Sequence, residues 1–294
     1  MFKGSIAALI TPFTEEGEID FDAFEELMRW HIASNTDAIV LCGITGESPC
    51  LTPEEQRQII ERGVQIAKGN VPIIAGTGCA STYLTQKLTQ QAKEAKADAC
   101  LVIVPYCNRP ASEGCLQHYA AISQVGLPMI VYHHPSRTNV RLSVETLVQI
   151  LSLPCVAGIK EGSTDLHLMN EIRRQLDVPI FCGDDILALA MMAQGAQGVI
   201  SIVANVIPKE WKKFCSFMLN NDLEHARQLF YSYQELIEAM IIEINPQCVK
   251  YALSLMEKCS SRLRLPLTQP RAETRRKIEA AMEIVISPID LLRN

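Results

Sequence analysis

Short apolar runs rich in valine and isoleucine alternate with longer stretches whose apolar positions recur at helical spacing. The apolar runs read SIAALIT, AIVLCG, VPIIAG, ACLVIVP, PMIVY, VAGIK, PIFCG and GVISIV, which makes eight strand candidates. Between them lie amphipathic segments such as Phe21 to His31, with Phe24, Leu27 and Met28 apolar, and Pro53 to Ala67, where the proline suits a first helical turn. A strand-helix alternation repeated eight times predicts an α/β fold of parallel strands closed into a (β/α)8 TIM barrel. After Pro208 the strand signals stop, and helices are predicted at about 209–219, 222–242, 246–258 and 271–285. The first of these completes the barrel. The division is therefore a barrel at 1–220 and a helical C-terminal extension at 221–294, packed on it as one structural unit. The rival architecture, an open doubly wound sheet, would place a glycine-rich phosphate turn after its first strand. Here that strand runs into Thr11-Pro12-Phe13, which weakens a nucleotide-binding reading.

Composition narrows the function classes. The 294 residues, 48% of them hydrophobic, suffice for one large core of barrel size. A net charge of -6 arises from acidic and basic residues spread along the chain rather than in blocks, so neither nucleic acid nor a lipid surface is an expected partner. The eleven cysteines form no C-x-x-C pair and sit singly in apolar runs, as Cys42, Cys100, Cys155 and Cys182 do. They read as reduced core thiols of a cytoplasmic protein. The apolar stretch Ser5 to Ile10 is too short for a signal peptide, and no run approaches a membrane span.

In a barrel, the loops after the strands converge on one face, so polar residues at strand C-terminal ends become the candidate site. Lys160 ends the run Val156-Ala157-Gly158-Ile159; a desolvated lysine there would lose its proton more readily and become a nucleophile, although a strand-end lysine reaching solvent fits the same position. Tyr132 ends another run and precedes the donor-rich turn His133 to Thr138, where a phenol could move protons or simply fill the core. Arg137 offers a planar fork for a carboxylate, or a solvated surface charge. The string Gly43-Ile44-Thr45-Gly46-Glu47-Ser48 could turn backbone N–H groups toward an anion, or form an ordinary tight turn. His133-His134 and Asp184-Asp185 lack a third ligand at a recognisable spacing, so no metal is expected.

Taken in order, TPF, GITGES, IAGTG, PYCNRP, YHHPSRT, GIKEGS, the GDD after strand seven, GVISIVAN and LRLPLT resemble the dihydrodipicolinate synthase family of pyruvate-dependent class I aldolases over essentially the entire chain. PSRT is similar to the synthase branch rather than the sialic acid lyase branch. The resemblance implies that Lys160 forms an imine with pyruvate, Tyr132 moves protons over it, and Thr45 binds the pyruvate carboxylate. It further implies that Gly183 and Ile200 line the lysine pocket through their backbones, and that Arg137 receives the carboxylate of a second substrate, aspartate 4-semialdehyde. No metal or organic cofactor is implied beyond the covalent imine, and the assembly implied is a homotetramer, a dimer of dimers in which the loop around Cys107 reaches a neighbouring site.

Two positions depart from the family pattern. Ile44 stands where a hydroxyl residue is usual, and Cys107 where a second tyrosine is usual; both would relay protons through Tyr132, and such a group is typically worth about 100- to 10,000-fold in rate. Either His133, His134 or a water takes over that relay, or the chain has moved to another aldehyde acceptor while keeping the pyruvate half-site. Another pyruvate aldolase or lyase on the same barrel, or a catalytically weak paralogue, are the alternatives to the synthase. Ser48 and Tyr106 match the family's lysine feedback site, but Pro53, Gln56, Ala80 and Leu84 replace the polar residues of lysine-inhibited members, which implies weak or absent inhibition.

Overall fold

A computed structural model describes residues 2–286. All eight strand candidates become strands: β1 Gly4–Ala8, β2 Ala38–Leu41, β3 Ile73–Gly76, β4 Ala99–Ile103, β5 Met129–His133, β6 Val156–Glu161, β7 Ile180–Cys182 and β8 Gly198–Ser201. They pair in parallel in sequence order, and β8 pairs with β1 to close the barrel. The strands carry near-continuous apolar runs because both faces are covered. Ile6, Val40, Ile74, Leu101, Ile130 and Phe181 fill the interior, whereas Ala7, Ile39, Val102 and Val131 face the helices. Asn205 seals the closing seam, its amide donating to Ala8 O at 2.8 Å while its carbonyl accepts from Ile10 N.

Around the barrel run α1 Phe21–Ala33, α2 Pro53–Ala67, α3 Thr82–Glu94, α4 Ser112–Ser123, the single turn α5 Pro135–Thr138, α6 Val144–Leu151, α7 Leu166–Gln175, α8 Ala188–Ala193 and α9 Pro208–Leu219. Side chains cap their N-termini at Asp20, Ser81, Ser143 and Asp165, and Thr52 forms a reciprocal capping box with Glu55. Each cap satisfies an otherwise orphaned N–H at the barrel mouth and fixes where the preceding loop must end.

The extension comprises α10 Leu223–Ser232, α11 Gln234–Ala239, α12 Gln247–Leu255 and α13 Ala272–Ile286. The one helix expected at 222–242 is thus two, broken at Tyr233. Tertiary packing explains the break, since α10 docks on α8 and α9 whereas α11 docks on α13 and the 3-10 turn Asp185–Leu187. Helical apolar spacing continues through both pieces, so it carries no mark of the change in direction. Residues 287–294 of the expected extension lie outside the described residues. Because the turns after β7 and β8 meet α11 and α12, the extension lies beside the barrel mouth.

Candidate active site

Lys160 and Tyr132 are register partners on β6 and β5, and both point inward. Each side chain is buried, and the Lys160 amine lies 4.4 Å from the centroid of the Tyr132 ring. Burial lowers the lysine pKa from its ordinary value to about 8, opposed by the negative charge of Asp185 and assisted by Arg137. Burial moves the Tyr132 phenol the other way, well above the ordinary tyrosine range, with Arg137 opposing the rise. The site therefore combines an amine that can be neutral near physiological pH with a phenol that keeps its proton. The strand-end lysine is a buried group, and the alternative of a solvent-reaching side chain does not hold.

The loop after β2 supplies Thr45, which is buried. Two features were not legible in its string. The N–H groups of Glu47 and Ser48 are spent inside the turn, on Ile44 O at 3.0 Å and Gly43 O at 3.2 Å, so the expected convergence of amides on an anion does not extend to the second half of the loop. The loop is also held from outside by the extension. Asn245 Nδ2 donates to Thr45 Oγ1 at 3.0 Å, and Lys250 pairs with Glu47 at 2.6 Å where both side chains are fully buried. The backbone N–H of Arg264 donates to Glu47, while its guanidinium holds Glu55 and Cys50 O. Glu47 itself sits at φ 55°, a left-handed conformation that a non-glycine residue keeps only when its surroundings fix it.

The remaining expected residues also gather at the mouth. Gly183 N donates to Glu161 O at 2.8 Å, and a Cβ there would come within 2.8 Å of the same oxygen, so only glycine lets β6 and β7 approach this closely beside Lys160. Ile200 lies in the inner layer at the end of β8. Asp185 was weighed in the sequence only as a metal ligand and has a different place. Its Oδ2 accepts from Ile202 N at 2.8 Å and Val203 N at 2.9 Å, anchoring the turn that follows Ile200. Burial raises its pKa to about 6, with those backbone bonds opposing. Half-buried Arg137, on α5, contributes a positive charge that acts to lower the pKa of both Lys160 and Tyr132.

The two departures differ in burial. Ile44 is half-buried against the inner layer, beside Tyr106. Cys107 is exposed, at φ 71°. His133 cannot take over a relay to Tyr132. Strand alternation turns it outward, where its Nδ1 donates to Glu161 Oε2 at 2.8 Å and its Nε2 accepts from Leu142 N at 3.3 Å. His134 does meet the Tyr132 ring, edge to face at 5.6 Å between centroids, with Nδ1 on Ser136 Oγ. Burial, and then the Arg137 and Lys160 charges, lower its pKa to about 4, so it is neutral at pH 7.

Above the barrel mouth lies a cavity of about 260 Å³, bounded by Ile44, Ile103, Arg137, Ile244, Asn245 and Leu267 among others. Ile103 is the register partner of Tyr132, so the cavity shares a wall residue with the strand pair that carries Tyr132. A chamber with apolar walls and a few polar groups is suited to a small polar substrate held in one orientation. Among the described residues, no group of three or more His, Cys, Asp or Glu side chains is arranged to hold a metal ion.

Comparison with known proteins gives a consistent result. The Dihydrodipicolinate synthetase family matches residues 1–285. The 4-hydroxy-tetrahydrodipicolinate synthase of Aquifex aeolicus is 42% identical over 288 residues, covering 96% of this chain and 97% of that one. The crystal structure of dihydrodipicolinate synthase from Aquifex aeolicus superposes with a TM-score of 0.95 at 40% identity, covering 98% of this chain and 100% of that one. A chloride-inhibited dihydrodipicolinate synthase from Acinetobacter baumannii, crystallised with pyruvate, matches at a TM-score of 0.93 and 37% identity, over 96% and 98% of the two chains.

Proposed function

The chain belongs to the Dihydrodipicolinate synthetase family, and from that membership we propose that it condenses pyruvate with L-aspartate 4-semialdehyde to 4-hydroxy-tetrahydrodipicolinate through an imine on Lys160. It is a lyase-type synthase of the class I aldolase kind. The observation that carries the residue assignment is the buried Lys160 amine, with its lowered pKa, against the Tyr132 ring.

Neutral Lys160 attacks the keto carbon of pyruvate, and the phenol of Tyr132 gives a proton to the departing hydroxyl, so one water leaves as the imine forms. The resulting cation faces the Tyr132 ring and the Asp185 charge, both of which favour it. Loss of a methyl proton gives the enamine, whose carbon attacks the aldehyde. The amine of the second substrate then attacks the imine carbon, expels Lys160 and closes the ring, so the aldehyde oxygen remains as the 4-hydroxyl. Thr45 holds the pyruvate carboxylate and Arg137 that of the aldehyde. The Ile44 position supplies no hydroxyl, so proton return to Tyr132 runs through water or His134. The imine supplies the electron sink, and the reaction as written calls for no added cofactor.

The test is direct. Purified protein with both substrates is expected to consume pyruvate only when the aldehyde is present and to form the cyclic product; no turnover with this pair, alongside turnover with another aldehyde, would reassign the acceptor.

The same reading extends to regulation, assembly and compartment. Lysine inhibition is expected to be weak or absent, because Leu84 offers no carboxylate to an ammonium, and Pro53 and Ala80 bring no polar side chain. Half-inhibition of initial rates at micromolar lysine would overturn this. A homotetramer is supported by the exposed apolar Tyr83 and Leu84 near the Cys107 loop, which Asn108 ties to Ala80 O at 3.0 Å. A cytoplasmic location fits the eleven free cysteines, and among the described residues no helix is long and apolar enough to cross a membrane.

A further inference from the structure

The condensation written above does not balance in protons within the site. Aspartate semialdehyde enters with its amine as an ammonium at neutral pH, and the cyclic product carries that nitrogen as a neutral imine. Tyr132 lends a proton to the departing hydroxyl and recovers one from the pyruvate methyl group, so the imine and enamine steps close on themselves. The later steps do not. Tyr132 lends again to the aldehyde oxygen, and of the three protons on the ammonium one refills Tyr132, one returns to Lys160 and the third must leave. Lys160 and Tyr132 are buried and already carry their own protons back, so the third needs a route to solvent. Ile44 has no proton to exchange, and His133 is turned outward onto Glu161 and Leu142 N.

His134 stands between the buried pair and water. Its ring meets the Tyr132 ring edge to face at 5.6 Å between centroids. The same residue borders a second, polar cavity of about 560 Å³, which Ser136, Arg141, Gly162, Ser163 and Asp184 also line. Ser136 and Arg141 are exposed, so this cavity opens to solvent. A Cβ at Gly162 would come within 3.0 Å of His134 Cδ2, and the glycine thereby leaves the imidazole its place. The Nδ1 atom lies 2.9 Å from Ser136 Oγ, which commits one ring nitrogen to a hydroxyl at the cavity wall. Building on the synthase reading above, we propose that His134 is the exit for the proton released in the condensation: Nε2 takes it and gives it to water in the polar cavity, while Ser136, accepting from Nδ1–H, fixes the tautomer in which Nε2 is a base. Burial, and then the charges of Arg137 and Lys160, keep the ring neutral at pH 7, so it can accept a proton when one arrives and does not retain it.

The experiment separates the imine step, which balances in protons, from the full condensation, which does not. For wild type, His134→Ala and Ser136→Ala, the rate of pyruvate-adduct formation is read by borohydride trapping and intact mass, and kcat is measured with pyruvate and aspartate semialdehyde. The adduct also checks that each variant is folded and loads pyruvate. His134→Ala is expected to lower kcat roughly 100-fold, the lower end of the range for a positioned proton-transfer group, while adduct formation stays within about threefold of wild type. Imidazole added to His134→Ala is expected to restore kcat in proportion to its concentration, and Ser136→Ala to lose less than His134→Ala. An unchanged kcat in His134→Ala overturns the proposal, since water would then carry the proton unaided. Equal losses in adduct formation and kcat, or a loss in kcat that imidazole leaves untouched, overturn it as well, because the ring would then only hold Tyr132 in place. A wild type that forms the adduct and does not turn over aspartate semialdehyde would instead sink the synthase reading, and with it the proton that this exit serves.

Discussion

Lys160→Ala is expected to abolish the pyruvate adduct trapped by borohydride and to lower kcat by at least about 10,000-fold, the scale seen when a covalent nucleophile is removed. The reason is that the imine divides one difficult carbon-carbon step into easier ones, and no other amine shares the inward face of the barrel with Tyr132 among the described residues. The pH dependence follows from the same amine. A lysine at its ordinary pKa of 10.5 would be neutral in roughly one molecule in 3,000 at pH 7, whereas one at about 8 is neutral in about one in ten. Because the pKa is lowered, the reactive neutral form is lost as pH falls. The rate of adduct formation at limiting pyruvate is therefore expected to drop about tenfold per pH unit below 7 and to level off above about 8.5. A trapped adduct persisting in Lys160→Ala, or a profile flat between pH 6 and 8, would place the nucleophile elsewhere.

Lys250→Met is expected to cost roughly 3–5 kcal/mol of stability, because it leaves the Glu47 carboxylate buried without its cation. The variant also loses a hydrogen bond to Arg262 O and the contact of the ammonium with the Phe13 ring at 4.0 Å. For a chain of this size the melting temperature should fall on the order of 10 °C, and the KM for pyruvate should rise, since the strained Glu47 turn carries Thr45. Adding Glu47→Gln removes the orphaned charge, and the double variant is expected to recover part of the lost stability. A melting temperature within about 2 °C of wild type in Lys250→Met would show that the pair contributes little.

The barrel and its chemical core were legible because their signals are local. Apolar runs of strand length marked each of β1 to β8, and a lysine and a tyrosine at the ends of two such runs became candidates for the barrel mouth, which the Tyr132–Lys160 register then made neighbours. Alternation along β5 then decided between the two histidines, sending His133 outward to Glu161 and leaving His134 at the Tyr132 ring. Periodicity could not place the break at Tyr233, because the apolar spacing is the same whether one helix continues or two dock on different surfaces.

By itself, then, the chain determined the eight-strand barrel, the lysine and tyrosine at strand ends, and the family to which the ordered motifs belong. Only the tertiary structure decided what holds the site in place. Asn245 meets Thr45 across 200 positions of sequence, and Arg264 N meets Glu47 across 217. No spacing rule reaches over such distances. Contacts of this kind arise only when the extension packs against the barrel mouth, where burial brings Asn245, Lys250 and Arg264 within hydrogen-bonding reach of the loop after β2.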